Sequence, residues 1–194
     1  MYAAGHVGLA LLAFAPVGWL LCTRGHDRTA IGGMVLAALS ATLPDLDLFV
    51  PFLAHRGPTH TVWFVGLCGL TVGLIAKTVT RSARPWPTAQ HRAGAVPCLV
   101  VCLSVASHLL GDVVTPMGLR AAAPLTNTHV TLALVNARNP SANAALLLLG
   151  ALSTTGWLVR SAVLHRWVSR QGTATSSLPG VDPSPDQQQE RTDE

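Results

Sequence analysis

Five apolar segments separated by short polar connections limit what this chain can fold into. They cover residues 7–23, 30–44, 61–76, 93–114 and 142–164. A helix needs about 20 apolar residues to cross a bilayer, and the second segment reaches that length if it kinks or continues beyond Pro44. Hydrophobic residues make up 49% of the sequence and charged residues only 11%, an unusual balance for a soluble domain. We therefore predict an all-α, multi-pass transmembrane bundle of about four or five spans.

The C-terminal stretch differs in composition from the rest of the chain. Five of the nine acidic residues fall within the last thirteen positions, and the sequence from Gln171 is rich in Ser, Pro, Gln and Asp. Such a composition is typical of disorder, because it offers little apolar surface to bury. The 194 residues therefore divide into a membrane-embedded domain over residues 1–170 and a predicted disordered acidic tail over residues 171–194.

Several function classes are disfavoured. Lys and Arg fall between the apolar segments, so we interpret them as topology signals and expect membrane lipid, not nucleic acid, as the partner. The four cysteines lie inside apolar segments, where free Cys packs as a small hydrophobic residue, and no disulfide framework is indicated. The sequence contains no GxSxG elbow, P-loop or Rossmann glycine pattern.

The distribution of positive charge predicts which side of the membrane each connection occupies. Nine positively charged residues fall on one side if the N-terminus lies outside: Arg24, Arg28, Lys77, Arg81, Arg84, Arg92, Arg160, Arg166 and Arg170. The other side then receives only Arg56, Arg120 and Arg138. Because cytoplasmic loops are enriched in Lys and Arg, we predict a multi-pass cell-membrane protein whose less basic side is extracytoplasmic.

Carboxylates and histidines in apolar surroundings mark the candidate site. Only four acidic residues precede position 182, and three of them lie close to histidines. These motifs contain Asp45 and Asp47 in LPDLD, His55 and His60 in HRGPTH, and His108 and Asp112 in SHLLGD, with His6 near the start. A carboxylate in a membrane-like environment costs several kcal/mol unless it is paired, hydrated or metal-bound. Asp and neutral His together are the usual ligands of a hydrolytic zinc site, and the predicted layout brings all four motifs to one membrane face.

Two of these motifs also have simpler structural interpretations. At positions i and i+4 of a helix, the Cβ atoms of His108 and Asp112 are about 5–6 Å apart, which suits one shared metal ion. A hydrogen bond between two buried side chains explains the same spacing equally well. Asp45 and Asp47 follow Pro44, so they are expected at a helix end that can turn both carboxylates toward a site. The alternative for this pair is a solvated loop.

The HRGPTH motif is predicted to break a helix. Its Gly-Pro step lets His55 and His60 converge from a loop and from the start of the third segment. Arg56 between them can bind phosphate or carboxylate in a bidentate manner, or it can anchor a lipid headgroup. Thr59 and Thr61 are interpreted as residues that begin the following helix.

Four motifs together resemble those of the YdjM family of membrane-bound, metal-dependent hydrolases. They are AGH (residues 4–6), LPDLD (43–47), HRGPTH (55–60) and SHLLGDVVTPMG (107–118), and their order and spacing are intact over about residues 1–125. Thr61 stands where the family usually has Ser. The family is distantly similar to zinc-dependent phospholipase C and related zinc nucleases, which are all-helical enzymes with zinc bound by His and Asp.

The resemblance implies a ligand set and an activity. Carried over by position, the metal ligands are His6, Asp45, Asp47, His55, His60, His108 and Asp112. Seven ligands exceed the need of one tetrahedral ion, so one or two divalent ions, expected to be zinc, are implied. The implied activity is hydrolysis of phosphoesters, including those of lipids, by a water molecule that the metal activates.

We therefore expect a membrane-bound metal-dependent hydrolase acting on a small-molecule or lipid phosphoester. Asp45 or Asp47 would be the general base, and Arg56 would hold the anionic substrate. The alternative is a non-enzymatic membrane protein that binds or conducts divalent metal ions or protons. A conduit should carry polar residues in both halves of the membrane, whereas here they cluster in one. A third hypothesis is a structural or regulatory membrane protein with a vestigial site.

Overall fold

The computed structural model describes residues 1–83 and 87–175, which are mainly helical, with a long non-helical connection over residues 114–139. The α-helices are α1 (Ala3–Thr23), α2 (Asp27–Ser40), α3 (Val62–Ala83), α4 (Pro87–Val113) and α5 (Pro140–Thr175). Two short 3₁₀ helices, Pro44–Phe49 and Pro58–His60, lie between α2 and α3. Within the described ranges the only β-pairing is an isolated bridge between Leu119 and Val130. The predicted all-α class is confirmed.

Five stretches of the described residues are long and apolar enough to cross a membrane. They are Ala3–Thr23, Asp27–Phe49, Val62–Ser82, Ala93–Val113 and Pro140–Arg160. The second joins α2 to the first 3₁₀ helix, so this segment continues past Pro44 with a change of helix type, as its short apolar run required. The predicted multi-pass membrane architecture is therefore confirmed.

The chain divides into two compact units. The first, Met1–Leu158, contains every residue of the candidate site. The second, Val159–Glu194, is helical as far as Thr175, so the first five residues of the predicted tail, residues 171–175, lie in the helix. Residues 176–194, which hold the rest of the predicted disordered acidic tail, lie outside the described residues.

Small residues allow α3 and α4 to approach closely. A Cβ atom on Gly73 would lie 2.9 Å from the Gly94 carbonyl oxygen, and one on Gly94 would lie 2.8 Å from that of Gly73. In a bilayer, where apolar helices gain little from leaving lipid, such close van der Waals contact is a main source of helix association. The Ser104 hydroxyl adds a 2.7 Å hydrogen bond to the Ala37 carbonyl, which ties α4 to α2.

All four polar motifs meet at one end of this bundle. His6 lies in the first turn of α1, and LPDLD follows α2. HRGPTH precedes α3, and His108 lies near the end of α4. Because successive helices run in opposite directions, these four positions fall on the same side, as the sequence predicted. The helix ends near Arg24 and Lys77 lie at the opposite side.

The sidedness of the site can be tested with single cysteines in a variant lacking the four native ones. Asn127 is exposed on the site side, and Ser82 is exposed in the last turn of α3. We expect a membrane-impermeant maleimide to label Asn127→Cys in intact cells and Ser82→Cys only after permeabilisation, because positive charge marks the cytoplasmic side. The reverse labelling pattern would contradict the extracytoplasmic assignment.

Candidate metal centre

The LPDLD motif forms a short 3₁₀ helix that presents two carboxylates in different directions. Pro44 occupies its first turn, where a missing N–H is tolerated, and the helix ends at Phe49. The Asp47 side chain is fully buried, whereas that of Asp45 remains 18% exposed. The two acids of this motif therefore occupy distinct environments.

Four side-chain atoms converge on one point. The Nε2 atoms of His60 and His108 are 3.3 Å apart. Asp45 Oδ1 lies 3.5 Å from each of these nitrogens. Asp112 Oδ2 lies 3.4 Å from His60 Nε2 and 3.6 Å from His108 Nε2. Five separations between 3.3 and 3.6 Å thus join four ligand-type atoms.

These five separations match five of the six edges of a metal coordination tetrahedron. Ligand atoms about 2.0–2.2 Å from a tetrahedral zinc ion lie about 3.3–3.6 Å from one another. Asp112 Oδ2 is buried and has no hydrogen-bond partner among the described residues, an arrangement that is costly unless the oxygen faces a cation. The donor set of two imidazoles and two carboxylates therefore fits a divalent metal ion.

Hydrogen bonds at Nδ1 leave the Nε2 atoms of the histidines free to act as ligands. His108 Nδ1 lies 2.7 Å from the carbonyl oxygen of Ala41, at the end of α2, and donates its proton there. His60 Nδ1 lies 3.0 Å from Thr59 Oγ1 and 3.3 Å from Asp47 Oδ2. A proton fixed on Nδ1 places the lone pair on Nε2, which is the usual arrangement around a protein-bound metal.

Asp47 organises the HRGPTH loop from behind the point of convergence. Its Oδ1 accepts a hydrogen bond from His55 Nδ1 at 3.0 Å. Its Oδ2 accepts bonds from the Thr59 hydroxyl at 2.8 Å and from the Arg56 backbone N–H at 3.2 Å. Arg56 adopts the left-handed region with φ 61°, which turns its amide toward this carboxylate. Asp47 thus contacts the histidine rings on the side away from their Nε2 atoms.

Asp112 is held in place by the Arg56 side chain. The Arg56 guanidinium lies 2.7 Å from Asp112 Oδ1 and also donates to Thr115 Oγ1 and the Gly118 carbonyl oxygen. The Met1 amino group lies 2.9 Å from the same Oδ1. With Oδ1 occupied by cations, Oδ2 is left facing the two imidazoles. Arg56 is therefore largely engaged within the protein, and its predicted contact with substrate stays a prediction.

His6 and His55 flank the four converging atoms on either side. The His6 ring stacks on His108 with a centroid separation of 3.6 Å, and its Nε2 lies 3.5 Å from Asp112 Oδ1. Both ring nitrogens of His6 are buried without a hydrogen-bond partner among the described residues. One ligand atom of His55 lies within 4.8 Å of one each from Asp45 and His60. The structure thus gathers all seven predicted ligands, four at one point and three around it.

The sequence did not predict the contacts that two threonines make in this site. Thr59, interpreted there as a helix-start residue, donates instead to Asp47, while Thr61 accepts a bond from the Phe64 amide as a helix cap does. Thr115 accepts a bond from Arg56 across 59 positions in the chain. The only sequence signal for the role of Thr59 was its position next to His60. No sequence signal indicated that Thr115 contacts Arg56.

The purified protein is expected to bind one divalent ion per chain. His108→Ala removes one of the buried ligand atoms, so we expect the bound metal to be lost, as measured by elemental mass spectrometry after zinc reconstitution. His129→Ala, outside the cluster, is the matched control and should retain the ion. Full metal content in the His108 variant would contradict the centre.

Comparison with known proteins assigns the chain to a family. The model of the YdjM inner membrane protein family matches residues 1–176. No curated protein and no solved structure is significantly similar to the chain. The matched range includes all four motifs and all five candidate spans. The chain therefore belongs to the YdjM inner membrane protein family.

Proposed function

We propose that this protein is a membrane-bound, metal-dependent hydrolase of phosphoesters. The observation that carries the proposal is the convergence of His60 Nε2, His108 Nε2 and Asp112 Oδ2 on one position, with Asp45 at the fourth corner. Three protein ligands with a fourth position for water or substrate are typical of catalytic zinc sites, so the proposal requires Asp45 to yield its corner to water when the metal is bound.

Burial supports the division between ligands and base. The side chains of His60, His108 and Asp112 are at most 1% exposed, whereas Asp45 is 18% exposed. The fourth corner is therefore the one that water can reach. A divalent ion held by the three buried residues would polarise a phosphoryl oxygen and favour the ionisation of water near neutral pH.

Asp45 is placed to act as the general base. Its Oδ1 lies 3.5 Å from both imidazole Nε2 atoms, so Asp45 would be next to a water molecule that took its place at the fourth corner. Asp45 accepts a proton as the water oxygen bonds to phosphorus and the P–O bond to the leaving group breaks, and the protonated Asp45 then returns that proton to the departing oxygen. Asp47 acts as a positioning residue, because it holds the rings of His55 and His60 through their Nδ1 atoms.

The choice of phosphoesters rests on charge and on resemblance. A divalent ion held by His60, His108 and Asp112 would attract the phosphoryl oxygens of an anionic ester toward the fourth corner. The distant similarity of the YdjM family to zinc-dependent phospholipase C and related zinc nucleases, in fold and in ligand type, supports the same substrate class. No further cofactor is needed, since water is the second substrate.

The alternative of a metal or proton conduit is less well supported. A conduit needs polar groups across the whole membrane thickness. Between the site and the opposite side of the bundle, the buried residues of α4 are mainly apolar. They include Val105, Val101 and Val100, in order of increasing distance from the site along the helix. Ser104 is buried there too, but its hydroxyl is engaged with α2. The titratable groups of the cluster stay at one end.

Replacing Asp45 by Asn tests its proposed role. We expect the variant to keep its bound metal but to hydrolyse bis(p-nitrophenyl) phosphate about 10²- to 10⁴-fold more slowly, the usual contribution of a general base. Release of nitrophenol measures turnover, and elemental mass spectrometry measures metal content. Asp27→Asn, at the far end of α2, is the matched control. Loss of the metal along with activity would make Asp45 a ligand and overturn its assignment as base.

A further inference from the structure

A cavity of about 910 Å³ adjoins the candidate metal centre. It lies between the HRGPTH loop, the first turns of α3 and the segment from Met117 to His129. His55, Arg56 and Thr59 form the wall nearest the centre, and the four converging ligand residues do not line it. Its volume falls in the range of about 300–1,000 Å³ that is usual for small-molecule sites.

One wall of the cavity belongs to a membrane-spanning helix. Trp63, Phe64 and Leu67 of α3 contribute this wall. The outward face of the same helix continues with Leu70 and Leu74, which are 62% and 61% exposed. Exposed leucines on a membrane span face lipid chains, so the apolar wall is continuous with the lipid-facing surface. A chain leaving the bilayer can therefore reach the cavity without crossing water.

The opposite side of the cavity is polar and basic. Arg120 and Asn127 are exposed there, and His129 is held by a hydrogen bond between its Nε2 and the Met117 carbonyl. No residue that lines this cavity, all of them among the described residues, is acidic. The lining thus pairs an apolar surface with a positively charged rim, which complements an anionic headgroup attached to an acyl chain.

We propose that this cavity binds a phospholipid drawn from the surrounding bilayer, with an acyl chain against α3 and its phosphate between Arg120 and His55. His55 connects the two sites, because it lines the cavity and one of its ligand-type atoms lies within 4.8 Å of one of Asp45. If the protein is the hydrolase proposed above, phospholipid bound in this cavity is its substrate, and that consequence rests on the proposed function. Binding itself does not depend on turnover.

Photo-crosslinking of the full-length protein in phosphatidylcholine vesicles tests this binding directly. The probe is a phosphatidic acid whose acyl chain carries a diazirine. We expect label on the peptides that contain Trp63–Leu67 or Met117–His129, and loss of that label when unlabelled phosphatidic acid is added. Glycerol phosphate should not compete, because it lacks the chain. Competition by glycerol phosphate equal to that of the lipid would overturn the proposal.

Paired variants separate the cavity from the general lipid surface. Leu67 and Leu74 are both 61% exposed on α3, but only Leu67 lines the cavity. Leu67→Trp should abolish the labelling by filling the cavity, whereas Leu74→Trp should preserve it, with metal content measured in both to show that the centre is intact. Equal labelling of the two variants would refute the cavity as the lipid site.

Arg120→Gln should remove the preference for the phosphatidic acid probe over an uncharged diacylglycerol probe.

Labelling of the cavity and hydrolysis of phosphoesters, measured on the same protein, distinguish failure of lipid binding from failure of the proposed hydrolase function. Specific labelling without hydrolysis of any phosphoester would support the lipid site and contradict the hydrolase. Hydrolysis of bis(p-nitrophenyl) phosphate without labelling of the cavity would support the hydrolase and contradict the lipid site.

Discussion

Two buried carboxylates and a third that is 18% exposed, at one end of an apolar bundle, are the constraint on which the rest of the site depends. An unpaired buried carboxylate costs several kcal/mol, so each of the three must be compensated. Asp47 is compensated by hydrogen bonds from the loop that it holds, and Asp112 by the Arg56 guanidinium. Asp45 and the second oxygen of Asp112 instead face two imidazole nitrogens that bear lone pairs. That combination favours a cation at their centre.

The fold brings these groups together through breaks in helices at the membrane boundary. Pro44 converts the end of the second span into a 3₁₀ turn, and the Gly57-Pro58 step ends the loop before α3. The carbonyl at the end of α2 accepts the His108 proton, so one helix end sets the tautomer of a residue on another helix. The polar chemistry is thereby confined to one end, and the helices below it remain apolar enough to span.

Much of this arrangement could be predicted from the sequence, because it depends on residue type and spacing. Apolar length predicted the spans, and the alternation of helix direction predicted that the four motifs meet. The different environments of Asp45, which faces the imidazoles, and Asp47, which holds the loop, could not be predicted. Two side chains that are two residues apart point in different relative directions in an α-helix, a loop and a 3₁₀ helix, and the sequence did not indicate which of these the motif forms. The hydrogen bond from the Arg56 amide to Asp47 accompanies a left-handed backbone at a non-glycine residue, which a sequence pattern does not indicate. Thr59 and Thr115 act through contacts that only the folded chain creates.

The most direct test of the central claim is the coordination environment of zinc in the reconstituted protein, measured by X-ray absorption spectroscopy at the zinc edge. A site formed by His60, His108 and Asp112 predicts two nitrogen ligands from imidazole and oxygen ligands, all about 2.0–2.2 Å from the metal, with no sulfur. The imidazole signal should disappear in a variant with both histidines replaced by alanine. A spectrum with sulfur at about 2.3 Å would place the metal at cysteines instead and contradict the account.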